Sequence, residues 1–539
     1  MDKLRNLFRN KDELELIQTL EQKTSEEIIL EPVSSLYTDL DFLETFNTIL
    51  DKTCTKCGRK ELWQLFMNVT NNVKLLKKRQ NNIRQLRKFI VPIRERLYKL
   101  AKYESELFWN NDKSNELLNS QIYFKWFGFL NNNQLVMDSI CLYKTYIMPT
   151  MSIGIPTITI AMPLIFMLFK GVSFDQRTMI FMYKILFQMM ANTSVVQMFS
   201  KLGIGAIGTL VIGVILTLML YAQNIYLTIM SAINMRRIIE LIRGRVECIG
   251  KFIQGIEQIA QTLGRILPFN NKFRIDYNGS SGKILVEYNR ILGNIHKLDE
   301  YKKYLGVVDA LISCAELTRN NGYCFTQFSN GFKIWNGFHP ILGNKCVKNN
   351  INIKNNILLT GANASGKSTF IKTLMYAVIL SQTIGIAPAK RFKLGIFDDL
   401  RTYIRIPDSV GYESQFQAEI NRNMEYIRLL ENGKRTFVII DEIFTSTNGH
   451  EGVAAAYGVL KKISRFPNNL AIVTTHYHNL CDQLPEYDKY CFNSKIDNDK
   501  VSYSHKLKRG ISKDCVALRI LKNVDKDIVN DAMRFISKK

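Results

Sequence analysis

The sequence is short of acidic residues, prolines and cysteines for its length. Its 539 residues contain 48 aspartates and glutamates against 72 lysines and arginines, which gives a formal net charge of +24. With 11 prolines and 30 glycines, it is neither a collagen-like chain nor a long low-complexity disordered one. The 10 scattered cysteines exclude a small disulfide scaffold and indicate reduced thiols in a cytosol-facing protein. The positive charge favours an anionic partner, such as a nucleotide, a nucleic acid or an anionic lipid surface.

Two other signals are missing. The opening residues Met1-Asp2-Lys3 begin a polar segment without the apolar core of a signal peptide, so no secretion signal is predicted. The pair Cys54-x-x-Cys57 has neither a second such pair nor paired histidines nearby. A zinc site built on this pair is therefore not predicted.

Helical patterns cover residues 36–145 and 225–320, where apolar residues recur every three to four positions between charges. In the first segment, Lys74 to Lys102 carries eleven basic residues and a single acid, Glu95. Such a stripe is either a solvated helix face or a surface that contacts phosphates, and the pattern alone does not separate the two.

Two long stretches lack charged side chains: Thr145 to Phe169, with 25 residues, and Leu202 to Met235, with 34. A helix that spans a bilayer needs about 20 mostly apolar residues. We therefore predict a two-helix transmembrane hairpin over residues 146–224, with spans at about 146–169 and 202–222. The termini and the nucleotide site would face the cytosol, and membrane lipid would be a partner. The alternative is a pair of buried helices in a large soluble core.

A nucleotide-binding loop follows an apolar strand in the last part of the chain. Residues 361–368 read G-x-x-x-x-G-K-S and lead into a helix, which is the context that a phosphate-binding loop requires. Backbone N–H groups would surround the phosphates, Lys367 would neutralise the β and γ oxygens, and Ser368 would bind Mg²⁺. The predicted ATP-binding residues are Gly361, Ala362, Asn363, Ala364, Ser365, Gly366, Lys367, Ser368 and Thr369.

Two later strands supply the remaining chemistry. The apolar run before Asp441 predicts a buried parallel strand that delivers this carboxylate to the Mg²⁺. Glu442 directly follows and suits a general base that polarises the attacking water. A third strand ends in His476, which we predict to contact the γ-phosphate. The predicted catalytic residues are thus Glu442, His476 and Lys367, and the cofactors are ATP and Mg²⁺.

These motifs resemble those of the MutS family of DNA mismatch repair ATPases. The matching segments come in the family's order: Gly337-Phe-His339-Pro340, the loop with Asn363, the serine signature Ser414-Gln-Phe416, Asp441-Glu442 followed by Glu451-Gly452, Thr475-His476-Tyr477, and the tail from Tyr503 to Leu518. Thr53 to Leu62 resembles the opening of the MutS helical core, and Arg79-Gln80 occupies the place of its next arginine. The resemblance implies a homodimer through the ATPase domains, in which Ser414 caps the partner's nucleotide in trans.

Three features depart from full-length MutS proteins. Residues 1–35 are too few for a mismatch-reading domain, and Phe42-Leu-Glu44 lies in a helical pattern unsuited to a mismatch wedge. Asn448-Gly449 replaces the usual Ser-Thr. The predicted hairpin occupies the region where DNA-clamping helices would extend. The resemblance is therefore to a truncated, membrane-associated type that lacks the mismatch-reading domain.

The predicted fold is an α-helical lever or core domain plus an α/β P-loop ATPase domain of the ABC-like class, with a two-helix transmembrane hairpin. An N-terminal segment, residues 1–35, precedes the helical residues 36–145 and 225–320, and the ATPase domain covers 321–539. Two functions stay open: a membrane-tethered ATPase that acts on DNA through phosphate contacts without specific mismatch readout, and a membrane-embedded mechanochemical ATPase that does not bind DNA. Among adenine contacts, only Val347 is suggested, by its position.

Overall fold

The computed structural model describes residues 34–104, 122–124, 126–171, 175, 177–178, 181, 206–319, 322–404, 415–497, 500–512 and 528. These residues pack into two compact units. The helical unit comprises the described parts of 102–258 and 270–301, and the sheet unit comprises those of 27–101, 259–269 and 302–539.

The helices are numbered along the chain. They are α1 Ser35–Asp39, α2 Phe42–Thr45, α3 Lys56–Met67, α4 Val73–Leu86, α5 Ile90–Glu104, α6 Gln134–Leu142, α7 Met148–Lys170, α8 Ala206–Leu263, α9 Ser281–Leu292, α10 Ile295–Arg319, α11 Lys367–Ile384, α12 Gln415–Glu431, α13 Gly449–Ile463 and α14 His478–Gln483. Short π-helical turns cover Phe46–Leu50 and Tyr143–Ile147, and 3₁₀ turns cover Gly128–Asn132 and Gly343–Lys345.

The strands are numbered in the same way. They are β1 Cys324–Phe325, β2 Gln327–Phe328, β3 Phe332–Gly337, β4 Asn349–Ile353, β5 Ile357–Gly361, β6 Ile386–Ala387, β7 Arg391–Leu394, β8 Asp399–Tyr403, β9 Thr436–Ile440, β10 Asn469–Thr474, β11 Asp488–Asp497 and β12 Lys500–Arg509.

The helical unit is built on α6, α9 and the buried face of α8. Asn133 and Ser280 cap the N-termini of α6 and α9, since their side-chain oxygens accept hydrogen bonds from the first free N–H groups. Asp138 on α6 ties the two helices together, because its carboxylate accepts bonds from the backbone N–H of Gly282 at 2.6 Å and from the Ser280 hydroxyl at 2.8 Å. The sequence therefore folds here as an amphipathic helical layer.

The predicted transmembrane hairpin is not supported. Helix α7 covers most of the first uncharged stretch and α8 begins in the second, yet no helix in the described part of the chain is long and apolar enough to cross a membrane. An uncharged stretch is not the same as an apolar one: the first stretch contains three prolines and several threonines, and the second continues within α8 into charged residues from Arg236 onward. The predicted multi-pass membrane location is therefore wrong, and the lipid partner loses its basis.

In the sheet unit, a six-stranded sheet positions the predicted chemistry. Its strand order is β12-β11-β5-β10-β9-β8, and β5, β8, β9, β10 and β11 run parallel. All residues of β5 and β9 are buried. The predicted strands at Ile357, Phe437 and Leu470 are therefore present, and the α/β architecture is confirmed. Because β5, β10 and β9 are neighbours, the loops at their carboxyl ends meet at one edge.

A second, smaller sheet, in the order β2-β7-β3-β4, and the antiparallel pair β1-β6 flank this layer. The strand β4 ends at Ile353, shortly before β5 begins. At its other end, Asn349 donates to the carbonyl of His505 on β12, and His505 contacts Ser365 of the phosphate loop, so the turn that precedes β4 lies close to this loop.

Helix α11 follows the phosphate loop and is buried along nearly its whole length. Its carboxyl end is held by α4: the Arg79 guanidinium donates to the carbonyl of Thr383, and the Gln80 amide donates to that of Gly385 at 2.7 Å. Gly385 has φ +78°, and a Cβ there would lie 2.5 Å from the Gln80 side chain, so only glycine fits. The Arg79-Gln80 pair seen in the sequence is thus an anchor for the end of α11.

The segment from Thr53 to Leu62 is organised around a buried carboxylate. Asp309 on α10 is fully buried and accepts hydrogen bonds from the N–H groups of Cys54 and Thr55 and from the Thr55 hydroxyl. The Thr55 hydroxyl in turn caps α3 by accepting a bond from Gly58. A Cβ on Gly58 would lie 2.2 Å from the Asp309 carboxylate, which explains the glycine.

Phe42, the residue with the letters of a mismatch wedge, is fully buried. Its ring packs edge-on against Tyr37 at 5.1 Å and Phe66 at 5.7 Å, and stacks on Tyr376 of α11 at 5.8 Å. It is a core residue of the sheet unit.

We predict that Asp309→Ala destabilises the protein by about 3 kcal/mol, because it leaves the N–H groups of Cys54 and Thr55 and the buried Thr55 hydroxyl without their carboxylate acceptor. Urea unfolding followed by circular dichroism measures the change. Glu95→Ala, which removes an exposed carboxylate on α5, is the control and is expected to leave the midpoint unchanged. Equal midpoints for both variants would contradict the assignment of Asp309 as the organising group.

His339 predicts a dependence of stability on pH. The ring is 7% exposed, it packs edge-on against Tyr376, and its Nδ1 atom has no hydrogen-bond partner among the described residues. Burial, aided by the charge of Lys372, lowers the pKa of His339 to about 4. In the unfolded chain the same group takes up a proton near pH 6.5. Acid therefore favours unfolding between these two values.

We predict that, between pH 8 and pH 4, the free energy of unfolding of the wild type falls by about 3 kcal/mol more than that of His339→Gln. Unfolding midpoints measured over this range test it. His478→Gln, at an exposed position, is the matched control and is expected to follow the wild type. Parallel curves for the wild type and His339→Gln would refute the prediction.

Candidate active site

The phosphate loop has a backbone that only small residues allow. Gly361 has φ +149°, and a Cβ on it would lie 2.8 Å from the carbonyl oxygen of Phe492. Gly366 has φ +108°, and a Cβ on it would lie 3.2 Å from His505 Nδ1. The loop therefore leaves β5, turns closely against β11 and β12, and enters α11 at Lys367, so that the helix N-terminus offers N–H groups suited to an anion.

Lys367 is buried, and its ammonium group lies over the loop. It donates to the carbonyls of Gly361 at 2.9 Å and Ala362 at 3.2 Å. Burial lowers the pKa of Lys367, while the nearby carboxylates of Glu442 and Asp441 act in the opposite direction. An ammonium group has three protons, so two bonds to carbonyls leave one proton to donate to an anion in the cavity.

Asp441 and Glu442 follow β9 as the sequence predicted. Thr474, at the end of β10, contacts both: its hydroxyl donates to Asp441 Oδ1 at 2.5 Å and accepts from the backbone N–H of Glu442 at 2.7 Å. Glu442 has φ +57°, a left-handed conformation that costs about 1–2 kcal/mol for a residue with a Cβ. The acidic pair is therefore held in a constrained turn.

His476 lies against Glu442. Its Nε2 atom is 2.9 Å from Glu442 Oε1. This hydrogen bond is the main cause that lowers the pKa of Glu442, with the charges of His476 and Lys367 contributing and burial opposing them. Glu442 is thus kept as a carboxylate at neutral pH, which is the form that a general base requires.

A cavity of about 470 Å³ opens beside the loop. One side is formed by the loop itself, from Ala362 to Thr369 except Ser365, and by Glu442. The lining also includes residues near the turn before β4, among them Leu342, Cys346 and Val347. The structure therefore places Val347 in the wall of the same cavity as Lys367 and Ser368.

Two wall residues were not singled out from the sequence. His505 has φ +50° and its Nδ1 atom lies 2.9 Å from the carbonyl oxygen of Ser365. Asn349 holds the turn before β4 against β12, because its amide donates to the carbonyls of His505 at 3.0 Å and Val347 at 3.2 Å. His505 lies in the segment from Tyr503 to Leu518 that resembles the MutS family. Its position within this motif could have identified it as a candidate site residue.

Ser414, the predicted trans residue, lies outside the described residues. The helix that follows, α12, packs against the turn after Glu442: the rings of Phe416 and Phe444 lie 5.6 Å apart. Glu419 on α12 is buried, and burial raises its pKa. Asn448, in place of the family's usual serine, caps α13 by accepting a bond from the N–H of His450 at 3.1 Å.

The donor atoms fit a magnesium ion with a nucleotide. Ser368 presents an exposed hydroxyl in the first turn of α11, within the cavity wall. Asp441 has one carboxylate oxygen bonded to Thr474, so the other remains for a cation. Hydroxyl and carboxylate oxygens are the hard ligands that Mg²⁺ prefers, in a shell completed by water and phosphate.

A parallel sheet with a glycine-rich loop after one strand, an acidic pair after another and a buried lysine at the helix N-terminus defines a P-loop nucleotide-binding domain. Comparison with protein families specifies it further. Residues 357–538 match the family model described as MutS domain V. This part, about a third of the chain, therefore resembles MutS domain V.

Curated relatives agree with this assignment. The human DNA mismatch repair protein Msh3 is 28% identical over 261 residues, which cover 43% of this chain and 23% of Msh3. The DNA mismatch repair protein MutS of Ehrlichia ruminantium strain Gardel is 30% identical over 246 residues, 43% of this chain and 30% of the relative. MutS of Bacillus subtilis is 28% identical over 230 residues, 40% and 26% respectively. The matched part thus spans about a quarter of each relative.

Proposed function

We propose that the chain binds Mg·ATP in this cavity and hydrolyses it to ADP and phosphate. One observation supports the proposal most: Lys367, Asp441 and Glu442 converge on one edge of the sheet, and the cavity there is lined by both the phosphate loop and Glu442. The triphosphate would lie along the N-terminus of α11, and the base would lie between Val347 and His505.

Each residue has a defined role in this reaction. The third N–H of Lys367 and the loop N–H groups would bind the β and γ oxygens. Ser368 and Asp441 would hold a Mg²⁺ ion, which would neutralise developing charge when bound. Glu442 accepts a hydrogen bond from the attacking water and takes its proton, as the γ-phosphoryl group leaves ADP. His476 keeps Glu442 anionic by donating to Oε1. Its sequence-based role as a γ-phosphate contact stays a prediction.

We predict that Lys367→Ala abolishes ATP binding, because the buried cation for the phosphates is lost, whereas Glu442→Gln still binds ATP and stalls, because only water activation is removed. Equilibrium binding and phosphate release, measured on the same preparations, separate the two effects. Lys372→Ala on the same helix is the control, because Lys372 pairs with Asp41 at 3.0 Å instead of facing the cavity. Hydrolysis by Glu442→Gln at the wild-type rate would remove Glu442 from the mechanism.

We further propose that the ATPase acts as a homodimer on DNA, through phosphate contacts and without specific mismatch readout. The relatives are DNA mismatch repair proteins by name. On α4, Lys74, Lys77 and Lys78 are exposed. Lys77 and Lys78 lie three and four residues after Lys74, which brings both close to it on the helix surface. Arg79 is not part of this surface, because it bonds to Thr383. The competing proposal is a mechanochemical ATPase that does not bind DNA.

If DNA is the partner, we predict that changing Lys74, Lys77 and Lys78 to Glu weakens binding to every sequence alike and lowers the log–log salt slope by about 0.9 per lost phosphate contact. Gel shifts at several salt concentrations measure this. The same charge change at the exposed residues Lys354, Lys390 and Lys393 is the control. Absence of DNA binding at moderate salt would favour the competing proposal. A tenfold preference for heteroduplex, about 1.4 kcal/mol, would contradict binding without mismatch readout.

A further inference from the structure

The hydroxyl of Thr474 lies between the two carboxylate residues of the site. Thr474 is the last residue of β10, the strand between β5 and β9, and it is fully buried. Its Oγ1 atom is 2.5 Å from Asp441 Oδ1 and 2.7 Å from the backbone nitrogen of Glu442. One hydroxyl therefore contacts both Asp441, the predicted cation ligand, and the backbone of Glu442, the predicted general base.

The direction of both hydrogen bonds follows from their chemistry. A backbone N–H only donates, so Thr474 Oγ1 is the acceptor for Glu442. The single hydroxyl proton is then given to Asp441 Oδ1. This fixes one oxygen of Asp441 as an acceptor and leaves the other available to a cation.

Thr474 also holds the backbone of the turn. Its carbonyl oxygen accepts a hydrogen bond from the N–H of Ile443 at 3.4 Å. Glu442 and Phe444 have φ of +57° and +53°, so this turn is in a conformation that surrounding contacts must maintain. The N–H groups of the first two residues after Asp441 thus both donate to Thr474.

We propose that Thr474 is a positioning residue of the hydrolytic site, whose hydroxyl couples the orientation of Asp441 to that of Glu442. The inference rests on the proposed function, since it concerns the Mg²⁺ response and the hydrolytic step of the same site. Loss of the hydroxyl leaves the N–H of Glu442 without its acceptor and frees the Asp441 carboxylate to rotate. The phosphate loop and Lys367 are untouched by this change.

The neighbouring strand offers a matched control. Thr402 on β8 is also buried, 3% exposed, and its hydroxyl has no hydrogen-bond partner among the described residues. Thr402→Val therefore makes the same chemical change in the same sheet without removing a hydrogen bond.

The experiment compares the wild-type chain with Thr474→Val, Thr474→Ser and Thr402→Val. It measures ATP affinity with and without Mg²⁺ by calorimetry, and phosphate release under saturating ATP. For Thr474→Val we expect metal-free ATP affinity to be retained, while both the tightening of binding by Mg²⁺ and kcat fall by about 10- to 100-fold. Thr474→Ser keeps the hydroxyl, so it and Thr402→Val are expected to match the wild type.

A Thr474→Val variant with the wild-type Mg²⁺ response and kcat would overturn the proposal. So would a Thr474→Ser variant with a reduced Mg²⁺ response, because then the methyl group and not the hydroxyl would be what matters. This second comparison decides the question even if Thr474→Val does not fold. A wild type that neither binds nor hydrolyses ATP would overturn the proposed function itself, and the inference with it.

Discussion

The rest of the structure depends on the burial of one helix, α11. Its first residue is Lys367, and its last turn is bonded by Arg79 from α4. Between these ends, Tyr376 donates to the carbonyl of Leu40 at 2.7 Å and Lys372 pairs with Asp41. A helix that is buried on most sides does not shift without repacking its neighbours, because protein interiors are close-packed. The phosphate loop and the helices around α4 therefore share one rigid element.

Helix α11 therefore connects the proposed nucleotide site to α4. A phosphate bound at the N-terminus of α11 would act on the same helix whose carboxyl end is bonded to α4 through Arg79 and Gln80. Helix α4 carries the exposed lysines Lys74, Lys77 and Lys78. If ATP binding biases the position of α11, it biases these lysines as well, by a direct mechanical connection.

Local motifs predicted the fold of the site well. The phosphate loop and the Asp441-Glu442 pair each directly follow an apolar run. A strand and the turn after it could therefore be predicted from each short segment alone. Thr474 could not be found in this way, because its role depends on β10 lying beside β9, a property of strand order that a single sequence does not show. His505 depends likewise on the return of β12 toward the loop.

Predictions that rested on charged or uncharged segments were less accurate. Arg79 looked like part of a basic surface, but a charge in the sequence does not reveal burial or a backbone acceptor such as Thr383. The uncharged stretches predicted a membrane hairpin, although prolines and hydroxyl side chains interrupt the first stretch and α8 carries the second into charged residues. In contrast, the motif residues Thr55 and Gly58 have a clear structural role in this chain: both contact the buried Asp309, about 250 residues away in sequence.

The central claim is that this edge of the sheet hydrolyses Mg·ATP. The most direct test is the release of inorganic phosphate from ATP by the purified wild-type chain, in Mg²⁺ and again in excess EDTA. The account predicts steady release in Mg²⁺ that stops in EDTA. The absence of release in Mg²⁺, from a folded protein and without detectable ATP binding, would contradict it.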